Sequence, residues 1–244
     1  MTSVTRNRLS AYLSQYGFVI APEALESTCV DRFVALIDVA RSADNAENVT
    51  NSSGTYGLRN LTDVVPEVTE LVRHPAIVQR VTEVIGPDAF MTRATLFDKT
   101  PGANWGVFWH QDLSIAVEVK HEVDGFSAWT RKAGVTCVQP PVEVMARVLT
   151  VRVHLDDCTG ANGALKVLPG THRDRMSATE IDAQQRKASI TCDVPVGGLL
   201  LMRPLLLHAS SPMDEPLSRR VIHFEFANFE LPPPLKWKYR IQLH

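Results

Sequence analysis

Two residues in the stretch VFWHQDLSIAV carry chemistry that an apolar run does not need: His110 and Asp112. At i and i+2 of an extended segment their side chains leave on the same face. Such a pair is either part of a metal site or a hydrogen-bonded pair inside a core. A third ligand would come from a facing strand, and the segment LLLMRPLLLHAS carries His208 near its end. Two histidines and a carboxylate take one face of an octahedron and leave three positions open, a set that suits non-haem Fe(II). Zinc also accepts these donors with an open position. Eleven positions beyond His208, Arg219 opens RRVIHFEFANFEL. In strand phase it shares a face with Val221, His223 and Glu225, while Ile222, Phe224 and Phe226 take the other. A buried arginine calls for an anion, and a carboxylate fits its planar fork. The other reading, a surface arginine beside Arg220, stands equally well on periodicity alone.

The elements that must hold these residues follow from the change in hydrophobic period. Helical spacing is expected for Ser10 to Tyr16, Cys29 to Ala43, Pro66 to Arg73 and Pro75 to Ile85, with a short strand at Gly17 to Ile20. Arg41 to Gly57, rich in Asn, Ser and Asp, is expected to be a loop. From Phe90 the pattern becomes extended, with strands expected at Phe90 to Lys99, Gly106 to Asp112, Val148 to Leu155, Ala164 to Val167, Ile190 to Val194, Leu199 to His208 and Arg220 to Ala227. Turn residues separate them, including Pro101-Gly102 and Ser210 to Pro216. Many short strands after a helical block predict a mainly β, α+β fold with a double-stranded β-helix (jelly-roll) core. The expected organisation is a single domain over 1–244, with 1–88 as mainly helical support and 89–231 as the jelly-roll core. Two segments interrupt it: Leu113 to Met145, expected to be a lid, and Arg173 to Lys187, expected to be partly helical.

Bulk properties narrow the partners. A formal net charge of −2 over 244 residues, with one short basic run at Lys236 to Arg240, gives no reason to expect nucleic acid or an anionic membrane. Cys29, Cys137, Cys158 and Cys192 form no C-x-x-C pair and read as reduced thiols. The start of the chain lacks the apolar stretch of a signal peptide, so a cytoplasmic location is expected, with a small-molecule substrate as partner.

Three motifs together resemble the phytanoyl-CoA hydroxylase family of Fe(II)/2-oxoglutarate oxygenases: LFDKTPG…WHQD at Leu96 to Asp112, VHLDDCTGANGALKVLPGTHR at Val153 to Arg173, and PLLLHASSP…SRRVIHFEF at Pro204 to Phe226. The resemblance implies that His110, Asp112 and His208 bind Fe(II). It implies that Arg219 binds the distal carboxylate of 2-oxoglutarate with help from Ser210. Thr95, Lys99 and Arg152 fall at further co-substrate positions, Arg152 where other members carry an aromatic residue. Asn162, Gly163, Pro169, Gly170 and His172 are expected to fix a turn. With O2 as oxidant, the implied reaction hydroxylates an aliphatic C–H and releases succinate and CO2. Asp112 keeps the carboxylate that related halogenases replace by Gly or Ala, which argues for oxygen transfer; desaturation, epoxidation and ring formation differ only in substrate pose. Arg59, Trp129 and Gln139 are expected to line a lid over the pocket. Two other classes compete, a metal-dependent hydrolase or isomerase on the same barrel and a non-catalytic ligand-binding barrel. The first leaves Arg219 without a partner, and the second would bury a metal-ligand set and an arginine for nothing.

Overall fold

The switch of period at Phe90 separates a helical layer from a β-rich core in a computed structural model of the protein, which describes residues 3–42, 48–51, 54–100, 104–214 and 218–244. The first part runs α1 (Ser3–Tyr16), β1 (Phe18–Ala21), α2 (Ser27–Ser42), β2 (Asn48–Asn51), β3 (Gly54–Leu58), α3 (Leu61–Val64), α4 (Val68–Val72) and α5 (Pro75–Ile85). Helix α5 shows why these segments form. Pro75 takes the first helical position, the His74 ring accepts from the Ala76 N–H at 3.3 Å, and Gly86 ends the helix. Ile77, Val81 and Ile85 then fall on one buried stripe. The expected loop over Arg41 to Gly57 is corrected in part: β2 and β3 pair as an antiparallel hairpin and extend a sheet through β4, satisfying the backbone of a polar segment within a ladder. Arg41 and Ser42 close α2, while residues 43–47 and 52–53 and the Pro101-Gly102 turn lie outside the described residues.

The core continues with β4 (Phe90–Lys99), β5 (Val107–His110), β6 (Ile115–Val117), β7 (Ser127–Lys132), β8 (Val135–Gln139), α6 (Val142–Met145), β9 (Leu149–His154) and β10 (Leu165–Val167). It ends with α7 (Ala178–Gln184), β11 (Ile190–Thr191), β12 (Leu199–Met202), β13 (His208–Ser210), β14 (Arg219–Ala227) and β15 (Ile241–Gln242). The large sheet has the order β1-β12-β9-β14-β4-β3-β2, with β15 added to β4; the second sheet is β11-β10-β13-β5. Together they make the double-stranded β-helix.

Alternation along β14 divides two environments. Ile222, Phe224 and Phe226 join Leu96, Val151 and Leu201 against Phe33, Ile37, Leu71, Ile77 and Val81 of the helices. Burying each such side chain contributes roughly 1.5–3 kcal/mol. The opposite face, carrying Arg219, His223 and Glu225, looks into the barrel, where Phe18, Leu165, Val167, Leu200 and Met202 belong to a separate buried cluster.

Two expectations change. The single strand over Leu199 to His208 is two strands, because Pro204 has no N–H to give a ladder and the chain turns there, with Leu206 N–H bonding Arg203 O at 3.0 Å. The break transfers His208 from the large sheet to the second one. The segment Leu113 to Met145 is no loose lid: β6, β8 and β7 form a third sheet. Ile115, Val117 and Val138 bury against Phe90, Leu235 and Trp237, so the segment is packed by its own small core. No helix among the described residues is long and apolar enough to cross a membrane.

Candidate functional site

Moving His208 into the second sheet sets the site. Strand β13 pairs antiparallel with β5 and places His208 directly opposite His110, with ring centroids 4.2 Å apart. Asp112 lies just past the end of β5, where its N–H bonds Pro204 O at 2.9 Å. Its carboxylate oxygens stand 3.8 Å from His110 Nε2 and 3.7 Å from His208 Nε2. One ligating atom from each of the three residues falls within 4.8 Å of the others, the spacing a single metal ion requires.

The hydrogen bonds behind the rings decide which nitrogens face the centre. His110 Nδ1 lies 2.8 Å from Phe108 O and His208 Nδ1 2.7 Å from Leu206 O. A carbonyl only accepts, so both Nδ1 atoms carry a proton and the Nε2 atoms are the ones left to face the centre. Burial pushes the His208 imidazole down to about 4, against the pull of Asp112, and keeps its Nε2 lone pair free at neutral pH. Burial also works against charge on Asp112, but His208, His223, His110 and Arg152 outweigh it and hold the carboxyl down to about 2. Two imidazole Nε2 atoms and one carboxylate are thus aimed at one point without any rearrangement, and they fit a divalent metal.

Gln111, between the two ligands, points the other way. It donates to Leu205 O at 2.6 Å and Asp174 O at 2.9 Å, and accepts from Met176 N–H at 2.8 Å. These bonds tie the His110–Asp112 segment to the loop before β13 through Leu205 and to the loop before α7 through Asp174 and Met176. Sequence reasoning passed over this residue; its alternation with the two ligands was the available signal.

An open cavity of about 110 Å³ adjoins the triad, lined by Phe97, Trp105, Val107, Arg152, Leu165, Ser210, Arg219 and His223 besides the three ligands. Arg219, from the start of β14, is 3% exposed. One of its Nη atoms donates to Gly163 O, while its Nε is buried without a partner. Ser210 donates to the same carbonyl at 3.1 Å and accepts from Lys99 Nζ at 2.6 Å. The Lys99 amine also reaches Ser211 O. Burial, then the Arg219 charge, pushes Lys99 down to about 7. An arginine with an unmet N–H beside a serine hydroxyl is a fitting receptor for a carboxylate.

Of the other expected residues, Arg152 lines the cavity, Lys99 sits one layer behind Ser210, and Thr95 lies in register with His223 without bordering the cavity. The lid expectation is corrected: Arg59, Trp129 and Gln139 do not border it. Trp129 packs instead on the core of the third sheet, with Lys120 Nζ 5.7 Å over its ring. The walls are Phe97, Trp105, Val107 and Leu165; Phe97 and Leu165 lie inside the quoted motifs, but nothing in the sequence marked any of the four as facing a cavity. The turn residues hold structure, as expected. Asn162 reciprocally caps Thr159, and His172 Nε2 meets Ser14 O at 3.2 Å.

The family comparison agrees with this geometry. The sequence profile described as Phytanoyl-CoA dioxygenase (PhyH) matches residues 13–221. An ectoine dioxygenase of Nocardia farcinica is 27% identical over 164 residues, 64% of this chain and 48% of the relative, so the match spans about half of that protein. Among solved structures, AviO1 from Streptomyces viridochromogenes superposes with a TM-score of 0.69 at 21% identity, covering 96% of this chain and 99% of that one. EctD from S. alaskensis, with 2-oxoglutarate and 5-hydroxyectoine, gives a TM-score of 0.71 at 16% identity, over 90% and 75% of the two chains. The match over most of its length, from the helical layer into β14, makes this chain a member of the phytanoyl-CoA dioxygenase family.

Proposed function

We propose that this protein is an Fe(II)- and 2-oxoglutarate-dependent oxygenase that hydroxylates an aliphatic C–H of a small or medium organic substrate. The balanced reaction is R–H + O2 + 2-oxoglutarate giving R–OH + succinate + CO2. The observation that carries the reading is the convergence of His110 Nε2, Asp112 and His208 Nε2 on one point beside a cavity that also holds Arg219.

His110, Asp112 and His208 would hold the metal by one face, leaving positions for a chelating co-substrate and for oxygen. When bound, that pair supplies the oxidising chemistry through co-substrate decarboxylation. The chain supplies orientation. Arg219 anchors the far carboxylate of 2-oxoglutarate and Ser210 gives it a hydroxyl, held in place by Lys99 and the Gly163 carbonyl. The backbone carbonyls of Phe108 and Leu206 keep both imidazoles in the ligating tautomer. Phe97, Trp105, Val107 and Leu165 keep water from the reacting carbon.

Anaerobic titration tests this directly. Fe(II) and 2-oxoglutarate together are expected to give a visible charge-transfer band that neither gives alone, and Asp112→Ala is expected to lose it. A wild-type protein without the band, or an Asp112→Ala variant that keeps it and still makes succinate under oxygen, would overturn the reading.

A further inference from the structure

The cavity holds one more cation than the proposed chemistry uses. If Fe(II) and dianionic 2-oxoglutarate occupy it, the metal's two charges and that of Arg219 are matched by Asp112 and the two co-substrate carboxylates. Glu225, the carboxylate on the interior face of β14, stands 3.4 Å from Arg93 and 3.8 Å from His223 Nε2, so it pairs with Arg93 directly and reaches Arg152 only through the imidazole. Arg152, which the resemblance put at a co-substrate position, is left over once Arg219 takes the distal carboxylate. It is 6% exposed, it lines the cavity, and no carboxylate among the described residues lies within ion-pair distance of it. Its Nε is buried without a hydrogen-bond partner. An uncompensated buried guanidinium is costly, so its charge calls for an anion from outside the chain.

The neighbours hold this arginine in place without neutralising it. Its Nη1 lies 3.1 Å from His223 Nδ1. Arginine only donates, so His223 accepts there and is neutral at that nitrogen. The Phe97 ring lies under the guanidinium at 5.5 Å and meets the His223 ring edge-on at 5.6 Å. Pairing in the large sheet fixes both neighbours: His223 is opposite Arg152 between β14 and β9, and Phe97 comes from β4 on the far side of β14. The fork is therefore oriented in advance, with its Nε side unmet.

We propose that Arg152 is the substrate-reading residue of this site and that the substrate carries a carboxylate on an apolar skeleton. This rests on the oxygenase reading above and deepens it. The carboxylate pairs with the Arg152 fork, the skeleton lies along Phe97, Trp105 and Leu165, and the C–H to be oxidised is thereby held at the triad. His223 is a positioning residue that acts through Arg152.

The test uses hexanoate and its neutral amide, hexanamide, as probes of the anaerobic Fe(II)/2-oxoglutarate protein. Failure of the charge-transfer band to form at all counts against the oxygenase reading and is seen before either probe is added. With the band present, hexanoate is expected to perturb it saturably, with an apparent Kd at least about tenfold below that of hexanamide. Arg152→Gln is expected to abolish that preference while changing the 2-oxoglutarate half-saturation less than about threefold. Arg219→Gln is expected to do the reverse. Arg152→Lys, which keeps the charge and loses the fork, is expected to retain a reduced preference for the acid. Equal responses to acid and amide in the wild type, or no response to either, would overturn the proposal. So would an Arg152→Gln variant that weakens 2-oxoglutarate as much as Arg219→Gln does, since Arg152 would then belong to the co-substrate.

Discussion

Arg219 and Arg220 are neighbours on one strand and point into opposite worlds. On the outer face Arg220 is saturated. Asp156 takes its Nε at 2.9 Å, its Nη2 at 2.8 Å and its backbone N–H at 2.7 Å, and Asp38 lies 3.2 Å from Nη1. On the inner face Arg219 finds a carbonyl, the Cys158 thiol and nothing at its Nε, and Arg152 finds an imidazole nitrogen. An arginine that holds structure comes with its carboxylates encoded in the chain, whereas these two come without. Burial costs both kinds alike, so the difference marks where the missing anion arrives with a ligand.

The comparison breaks most sharply on the two adjacent alanine variants. Arg219→Ala is expected to weaken 2-oxoglutarate about a hundredfold, within the range for truncating one side of a buried charge pair, with urea stability of the metal-free protein unchanged or higher. Arg220→Ala is expected to cost about 2–3 kcal/mol of stability, because Asp156 loses its partner at a site that is still partly solvated, while turnover per folded molecule stays at the wild-type level. Equal destabilisation by both variants, read from urea midpoints, would make Arg219 a structural residue and erase the distinction.

The outer face has one member that is less well served, and pH exposes it. Asp98 is fully buried, with Arg41 Nη1 2.8 Å away but off the hydrogen-bonding direction of either carboxylate oxygen. Burial raises its carboxyl to about 6, with Arg41 and Arg220 only partly opposing. A folded-state value above the unfolded one means that the native protein holds the proton more tightly, so stability falls as pH rises from about 4 through about 6. The Asp98 share of that fall is expected to be about 2–3 kcal/mol, the free energy of carrying a carboxyl from its ordinary value up to about 6. Asp98→Asn should remove it. Urea midpoints at acid and neutral pH check the sign: an Asp98-dependent part that rises with pH would mean that Arg41 satisfies the carboxylate after all.

The same contrast explains what could be read from sequence. His110, Asp112 and His208 could be lined up from strand phase and spacing, which are one-dimensional properties, whereas Arg219 stood out from Arg220 only through the family resemblance; β4, β9 and β14 were expected close to where they fall. The break at Pro204 was not foreseen, since Leu199 to Met202 and Leu205 to Leu207 read as one apolar run until the second sheet claims His208. The third sheet was hidden for a related reason. Ile115 and Val117 bury against a partner far along the chain, the segment around Trp237, whose neighbour Lys238 donates its N–H to Ala116 O at 3.1 Å. That pairing turns what read as a terminal basic patch into the cover of a small core. Arg152 could be seen as a departure from an aromatic position, but its lack of a carboxylate is a fact of three dimensions.

The smallest expected effect concerns the residue that joins the turn to the inner face. Gly163 has φ of 74° in a left-handed turn, and its carbonyl receives both Arg219 and Ser210. A Cβ there would stand 2.5 Å from Ser211 O and 2.8 Å from Lys99 Nζ. Gly163→Ala therefore meets two penalties, the left-handed backbone and the contact. The first is about 1–2 kcal/mol. Gly163→Asn separates them, because Asn tolerates this backbone region but carries the same Cβ. If the contact matters, Asn stays destabilised and, by shifting the carbonyl that orients Arg219 and Ser210, weakens 2-oxoglutarate severalfold in titrations followed by the charge-transfer band. An Asn variant that matches the wild type in both melting and co-substrate affinity would reduce Gly163 to a turn residue. The carbonyl's hold on the inner arginine would then be incidental, and Arg219 would have to be oriented by its strand alone.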